Sequence, residues 1–164
     1  MTIRFGILTI SDRSSRGERA DSSGPALAHL IEAEGWSVTK QSLLPDEQSA
    51  IRDLLISWAD SSELDVILTT GGTGFSRRDV TPEATRSVIE RESPGLAEAM
   101  RAASLKVTPH AMLSRIVTGI RKKALIINLP GSPKGATENL QVVIPVLPHA
   151  VQLLNEDPAS ESTH

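Results

Sequence analysis

DVILTTGGTGFSRRDVTPE, residues 65–83, contains the signals of a strand, a loop and a helix in succession. The apolar run at 65–70 predicts a short buried strand. Thr81 followed by Pro82 predicts the start of a helix, because proline is favoured in the first helical turn. The loop between these elements contains glycines at positions 71, 72 and 74. A strand, a glycine loop and a helix in this order are typical of an α/β fold.

The chain upstream alternates strands and helices in the same way. Residues 3–10 and 36–44 are rich in apolar and β-branched side chains, which predicts strands. Residues 23–35 and 45–59 have apolar side chains at helical spacing, and Ser23 is the predicted cap of the first of these helices. Because strand–helix alternation implies parallel strands joined by crossover helices, we expect a layered α/β fold.

The downstream half continues with helices and a pair of strands. Residues 82–92 and 94–105 have helical patterns, and the pattern of 115–129 indicates two strands joined near its three successive cations. Residues 136–154 are helical in spacing, and the prolines within them should kink or split that helix. We therefore predict one domain over residues 1–154 and a polar, disordered tail over 155–164.

Composition limits the classes of function. The chain has 164 residues, no cysteine, a net charge of −3, no tyrosine and 2% aromatic residues. Without cysteine there is no disulfide or thiolate metal site. The negative net charge and the few aromatic side chains argue against a nucleic-acid partner. The first residues lack a membrane-spanning length and a cleavage pattern, so we expect a soluble cytoplasmic protein without membrane contact.

Polar loops follow the predicted parallel strands. Ligands bind at the carboxyl ends of strands in open parallel sheets, which points to the loops 11–22, 44–47 and 71–81, and to 129–133 after the last strand. The glycines can form either an anion cradle or a tight turn that requires positive φ. No G-K-[ST] follows them, and Arg77 replaces the third glycine of a dinucleotide motif.

The charged residues of the glycine loop favour a phosphate ligand. Arg77 and Arg78 can neutralise phosphates. Asp79 would repel an anion unless a cation such as Mg²⁺ lies between them. Asp46 could bind that cation or cap the following helix, and Asp12 could be a turn residue. Ser114 and Asn128, beside the predicted strand pair, are either ligand contacts or local hydrogen-bonding residues.

Several blocks together resemble the molybdopterin-binding domain family, in particular its molybdopterin adenylyltransferases. The matching segments are ILTISDR, LLPDE, TTGGTGFSRRDVTPEAT and MLSRIVTGIR…LIINLPGSP, in that order over about residues 3–155. The resemblance implies a three-layer α/β/α sandwich with a mostly parallel sheet, and a homotrimer. It also implies Mg²⁺-dependent adenylyl transfer from ATP to the terminal phosphate of molybdopterin, in molybdenum cofactor biosynthesis.

The resemblance assigns roles to particular positions. The two catalytic and metal-binding aspartates of the family correspond to Asp46 and Asp79. The molybdopterin-binding positions are Gly71, Gly72, Thr73, Gly74, Ser104, Ser114, Asn128, Pro130 and Gly131. The nucleotide-binding positions are Ser11, Asp12 and Asp21.

The match also has departures and an alternative. The family often has Asn or Gln before the proline of its PG-x-P loop, where this chain has Ser132. We expect no second domain for molybdate insertion, and therefore a separate protein that performs that step. A non-catalytic carrier or scaffold that binds molybdopterin in the same pocket is the alternative function.

Overall fold

The computed structural model describes residues 1–163, and six strands form one sheet in this part of the chain. They are β1 Arg4–Ile10, β2 Ser37–Leu44, β3 Val66–Thr70, β4 Arg91–Glu92, β5 Thr118–Arg121 and β6 Ala124–Leu129. Their order across the sheet is β2-β1-β3-β6-β5-β4. Strands β2, β1, β3 and β6 run parallel, whereas β5 and β4 are antiparallel additions at one edge. The predicted mostly parallel sheet is confirmed.

Helices cover both faces of this sheet. They are α1 Asp12–Ser15, α2 Ser23–Ala33, α3 Gln48–Asp60, α4 Thr81–Val88, α5 Pro94–Leu105, α6 Pro133–Val143 and α7 Leu147–Leu154. Short 3-10 helices occupy Pro109–Leu113, Ile144–Val146 and Pro158–Thr163. Helices α2, α5, α6 and α7 pack in one buried apolar cluster with the sheet, and α3 and α4 pack in the other. The predicted three-layer α/β/α sandwich is confirmed.

The central strands β1, β3 and β6 are buried along almost their whole length because both faces of the sheet are covered. In β1, Ile7 belongs to the cluster on one face and Leu8 to the cluster on the other. Neighbouring side chains on a strand point to opposite faces, so a doubly covered strand needs consecutive apolar residues.

Several helix boundaries differ from the predictions, and two of the differences have a clear physical reason. The helix predicted over 82–92 ends at Val88, because Arg91–Glu92 instead pair with β5 as an edge strand. Ser23 does not cap α2: its hydroxyl donates to the carbonyl of Gly131, and the carboxylate of Asp21 accepts the Gly24 N–H instead. The predicted split of the last helix is confirmed, with the break at Ile144–Val146.

The end of the described chain has local structure. Part of the segment 155–164, for which disorder is predicted, is a 3-10 helix over Pro158–Thr163, and residue 164 lies outside the described residues. A bond such as Ser160 N–H to the Asp157 carbonyl is local and needs no distant partner. The domain limits at 1–154 and 155–164 stay a prediction. Within residues 1–163, no helix is both long and apolar enough to cross a membrane.

The chain changes direction across the sheet at β1. It goes from β1 to β2 on one side and then crosses to β3 on the other side. At such a switch point the loops leave the strand ends in opposite directions and open a crevice. Gly71, with φ +103°, ends β3 against β1, where a Cβ atom would lie 2.2 Å from the Ile10 carbonyl oxygen. Several of the predicted site residues collect in this crevice.

Candidate functional site

A cavity of about 410 Å³ opens at the carboxyl ends of the central parallel strands. Of the predicted site residues, it is lined by Ser11, Asp21, Asp46, Gly71, Gly72, Asp79 and Gly131. We call it the first cavity. It brings together residues from the loops after β1, β2, β3 and β6, as the strand-end argument predicts.

A second cavity, of about 310 Å³, lies on the other side of the glycine loop. Of the predicted site residues, it is lined by Thr73, Gly74, Ser104, Ser114 and Pro130. Gly71 and Gly72 therefore border the first cavity, and the next two residues of the same loop border the second. Ser132 lines both cavities, and its hydroxyl accepts the Gly135 N–H as the N-cap of α6.

Asp46 is held in the first cavity by a reciprocal backbone pair with Asp12. Asp46 Oδ2 accepts the Asp12 N–H at 2.9 Å, and Asp12 Oδ1 accepts the Asp46 N–H at 3.0 Å. The N-cap residue of α3 is Glu47, so Asp46 does not cap that helix. Asp46 Oδ1 is buried and has no hydrogen-bond partner among residues 1–163. The interpretation of this residue as a helix cap is thereby wrong.

The electrostatics of Asp46 are unfavourable for a carboxylate. Burial raises the pKa of Asp46 above its ordinary value, the Asp12 N–H works against this, and the charges of Asp12 and Asp79 raise it further. A carboxylate in this position favours a positively charged neighbour, because a cation would offset both desolvation and repulsion.

Asp12 does not line either cavity; it is part of the support for Asp46. Its carboxylate accepts two hydrogen bonds from the Arg78 guanidinium, both at 2.9 Å. These bonds hold the pKa of Asp12 below its ordinary value. Arg78, which the sequence suggests as a phosphate ligand, is thus paired with a carboxylate in this structure.

Asp79 is fixed within its own loop. Its Oδ2 accepts the Ser76 N–H at 3.1 Å, and its own N–H donates to the Ser76 carbonyl at 2.9 Å. The first turn of α4 holds the start of the loop, because the Thr81 hydroxyl donates to the Gly71 carbonyl at 2.9 Å. A Cβ atom on Gly72 would lie 2.8 Å from Asp46 Oδ1, so the glycine leaves room for the carboxylate.

The second cavity has largely apolar walls with a few polar groups. Val107, Ala111 and Leu113 contribute apolar surface. Within the described part of the chain, the Ser114 hydroxyl is buried without a hydrogen-bond partner, whereas Ser104 Oγ accepts from Asn139 at 3.1 Å. An unpartnered hydroxyl in an apolar cavity can bind a polar group of a ligand at little desolvation cost, because it has already lost its water.

Asn128 lines neither cavity. Its side chain is fully buried and donates to the hydroxyls of Thr69 and Thr85, both at 2.9 Å. Its Oδ1 accepts the Val117 N–H at 3.1 Å. These bonds tie β6 to β3, to α4 and to the segment before β5, so in this structure Asn128 supports the site from inside the core.

The sequence interpretation missed Arg115, which joins the two cavities through the glycine loop. Its guanidinium donates to the carbonyls of Gly74 at 2.8 Å and Asp79 at 2.9 Å, and it pairs with Glu83. The quoted segment MLSRIVTGIR contains Arg115, but residues so far apart in sequence give no sign of contact before folding. Arg101, in the second cavity, was also missed; it donates to the Ser114 carbonyl at 3.2 Å.

Known proteins resemble this chain over almost its whole length. A molybdopterin adenylyltransferase of Helicobacter pylori J99 is 43% identical over 155 residues, which cover 93% of this chain and 88% of that protein. Gephyrin of Dictyostelium discoideum is 46% identical over 94% of this chain, which spans 23% of gephyrin. The molybdopterin biosynthesis enzyme MoaB of Thermus thermophilus has a crystal structure with TM-score 0.90 and 52% identity, covering 96% of this chain and 99% of that one.

The family model agrees with these individual matches. Residues 6–149 match the family described as "Probable molybdopterin binding domain". The matched range contains the glycine loop and the residues of both cavities described above. The chain therefore belongs to the molybdopterin-binding domain family.

Proposed function

We propose that this protein transfers the adenylyl group of ATP to the terminal phosphate of molybdopterin, with release of pyrophosphate. One observation carries the proposal: a carboxylate-bearing cavity and a largely apolar cavity meet at a single glycine loop. Two different substrates that react with each other need neighbouring binding sites, each with a lining that suits its own ligand. The relatives named molybdopterin adenylyltransferase support the same activity.

The chemistry of the cavities supports an assignment of the substrates. The second cavity suits the flat pterin, since apolar walls bind its rings and hydroxyls such as Ser114 can bind its polar edge. The first cavity suits the phosphates of ATP when a cation lies between them and the carboxylates. Ser11 and Asp21, which line it, are predicted nucleotide contacts. The terminal phosphate of molybdopterin would then reach the glycine loop from the opposite side.

The transfer needs no nucleophilic side chain. An oxygen of the molybdopterin phosphate forms a bond to the α-phosphorus of ATP, and the bond from that phosphorus to the bridging oxygen breaks. The electron pair leaves with pyrophosphate. Because the attacking phosphate is already an anion, the protein has to position the reactants and neutralise their charge.

The residues of the first cavity fit a Mg²⁺ ion. Asp46 Oδ1 is a buried anionic oxygen without a partner in the described chain, and Asp79 lines the same cavity. Within residues 1–163, no group of three or more His, Cys, Asp or Glu side chains could hold a metal. Few protein ligands are usual where Mg²⁺ is shared with substrate phosphates. When bound, the ion would supply neutralisation of the phosphate charge, held by Asp46 and Asp79.

The residues of this chain would keep the two substrates apart and aligned. The Gly71 N–H already donates to the Leu129 carbonyl, so we assign phosphate contacts to the backbone from Gly72 to Gly74. Thr81 and Asp12 would hold the loop and Asp46 in position, through the bonds to Gly71 and to the Asp46 backbone. Asn128 would keep the strand ends below the loop rigid.

The proposal extends to assembly and to the next step of the pathway. We propose a cytoplasmic homotrimer that passes adenylylated molybdopterin to a separate protein for molybdate insertion. Sedimentation that gives a single species near the monomer mass of 17.6 kDa at micromolar concentration would contradict the trimer.

One assay tests the reaction. Purified protein is mixed with molybdopterin, ATP and Mg²⁺, and pyrophosphate release is followed. Release that requires all three additions is expected. Tight binding of molybdopterin without any pyrophosphate release would instead favour the non-catalytic carrier or scaffold.

A further inference from the structure

The loop from Gly74 to Asp79 connects the second cavity to the first. Gly74 lines the second cavity and Asp79 lines the first. Phe75, between them, is 69% exposed, so the middle of the loop has little packing to hold it. The distance between the second cavity, where molybdopterin would bind, and the Asp79 carboxylate therefore depends on what holds the two ends of this loop.

A single side chain from outside the loop bonds to both ends. Arg115 donates from Nε to the Gly74 carbonyl at 2.8 Å and from Nη2 to the Asp79 carbonyl at 2.9 Å. Its backbone N–H donates to the Thr73 carbonyl at 2.9 Å. The third guanidinium nitrogen pairs with Glu83, in the first turn of α4. The planar guanidinium thus fixes the loop ends at a set separation, which a flexible ammonium group cannot do.

Arg115 is also next to the Ser114 hydroxyl of the second cavity, which has no partner among residues 1–163. A ligand that binds Ser114 therefore acts on the same short segment that holds the loop.

We propose that Arg115 is a positioning residue. It holds Asp79 at a fixed distance from the molybdopterin-binding site, so that the bound phosphate is aligned with the carboxylates of the first cavity. This inference rests on the proposed adenylyl transfer. Arg115 touches neither substrate in this account, because its guanidinium is occupied by two carbonyls and a carboxylate. Its loss should therefore lower turnover more than substrate binding.

The chain offers a matched control in Arg121. Arg121 donates to the Asp60 carboxylate at 2.9 and 3.1 Å and to the Val88 carbonyl at 3.0 Å. Its side chain is 22% exposed, against 34% for Arg115. Arg121 pairs with Ala124 at the amino end of β6, away from the carboxyl ends of the strands where the cavities open, so its loss should cost stability without disturbing the cavities.

The experiment compares Arg115→Lys with Arg121→Lys. For Arg115→Lys we expect kcat to fall about 100-fold while KM for molybdopterin changes less than about threefold. Hydrogen exchange at the Asp79 amide should become about tenfold faster, because the loop loses an anchor. Arg121→Lys should lose similar thermal stability but keep kcat within about threefold of wild type. Equal losses of kcat in the two variants, or unchanged exchange at Asp79, would overturn the proposal.

A second variant separates the two loop bonds of Arg115 from its ion pair with Glu83. Glu83→Gln leaves both loop bonds in place, and its amide oxygen can still accept from the guanidinium, so kcat should stay within about threefold of wild type. A loss as large as that of Arg115→Lys would contradict the role of the loop bonds. If wild-type protein released no pyrophosphate, the proposed transfer would fail, whereas exchange at Asp79 would still decide the role of Arg115.

Discussion

The two cavities share one loop but hold their polar groups in different ways. In the first, three carboxylates, those of Asp21, Asp46 and Asp79, line the cavity, and the charges of Asp12 and Asp79 act on Asp46. In the second, the walls are largely apolar with Arg101 and Glu138 among the few polar groups, and the Ser114 hydroxyl is buried without a partner in the described chain. The first cavity is therefore suited to a charged ligand, and the second to a planar group with a polar edge.

Each cavity contains a buried oxygen that lacks a partner among residues 1–163, and the difference in charge sets the size of its effect. Asp46 Oδ1 belongs to a carboxylate, whereas Ser114 Oγ belongs to a neutral hydroxyl. An interaction with a charged group in a water-poor site is worth more than one with a neutral hydroxyl. Substitutions of charged residues in the first cavity should accordingly lower turnover far more than substitutions of neutral residues in the second.

The largest effect is expected for the aspartates of the first cavity. Asp46→Asn and Asp79→Asn keep side-chain shape and remove charge, so each should lower turnover about 100- to 1,000-fold while molybdopterin binding remains. If both side chains serve one Mg²⁺, the double variant should be little worse than either single variant, because groups that act as a unit are not additive. Pyrophosphate release and calorimetric titration would measure the two properties.

An exposed aspartate provides the control for that comparison. Asp53, on α3, is paired with the neighbouring Arg52 on the protein surface, and Asp53→Asn should leave turnover unchanged. Turnover losses that multiply in the Asp46→Asn, Asp79→Asn double variant would argue against a shared metal. Near-normal turnover in Asp46→Asn would show that Asp46 takes no part in the reaction.

The next largest effect should appear in the glycine loop that separates the two cavities. Gly71→Ala would place Cβ 2.2 Å from the Ile10 carbonyl oxygen, at a φ of +103°. We expect a loss of about 3 kcal/mol in the free energy of unfolding, from steric overlap and backbone strain together. Gly95→Ala, whose new Cβ would meet no atom within 4 Å beyond its chain neighbours and the backbone of its own helix, should be neutral or stabilising. Denaturant titrations giving equal stability for the two variants would contradict the close contact of β1 with β3.

The sequence predicts the fold better than the internal support of the site. Strand–helix alternation predicts the sandwich because each buried strand and amphipathic helix is a local pattern. The rule on strand ends brings Asp46 and Asp79 to one cavity. It does not predict that Arg78 pairs with Asp12, nor that Asn128 bonds inside the core, because those contacts join residues far apart in sequence.

The electrostatic strain of the first cavity should be visible in stability. The pKa of Asp46 is raised, first by burial and then by the charges of Asp12 and Asp79. A raised carboxyl pKa means that the folded state binds the proton more tightly than the unfolded state. The ionised form therefore destabilises the fold above the folded-state pKa, and this penalty disappears as the pH falls below the unfolded-state value.

Asp46→Asn should remove that penalty while it lowers turnover. Without Mg²⁺ and at neutral pH, we expect the variant to be more stable than wild type by about 1 kcal/mol, as charge-removing changes in functional sites can be. The difference should shrink as the pH falls through the titration of Asp46. Thermal unfolding followed from neutral to acidic pH measures it, and a variant less stable than wild type at neutral pH would contradict the raised pKa.

The smallest effect is expected in the second cavity, for Ser114→Ala. The hydroxyl has no partner within residues 1–163, so its removal breaks no internal bond there and stability should not fall. A neutral hydrogen bond to molybdopterin is worth about 0.5–1.5 kcal/mol, so affinity should drop about 2- to 12-fold, with ATP affinity unchanged. Ser104→Ala, which breaks the 3.1 Å bond from Asn139, should instead lose stability as well as affinity. If calorimetric titration of Ser114→Ala showed a greater loss of affinity for ATP than for molybdopterin, the assignment of the two substrates to the two cavities would have to be reversed.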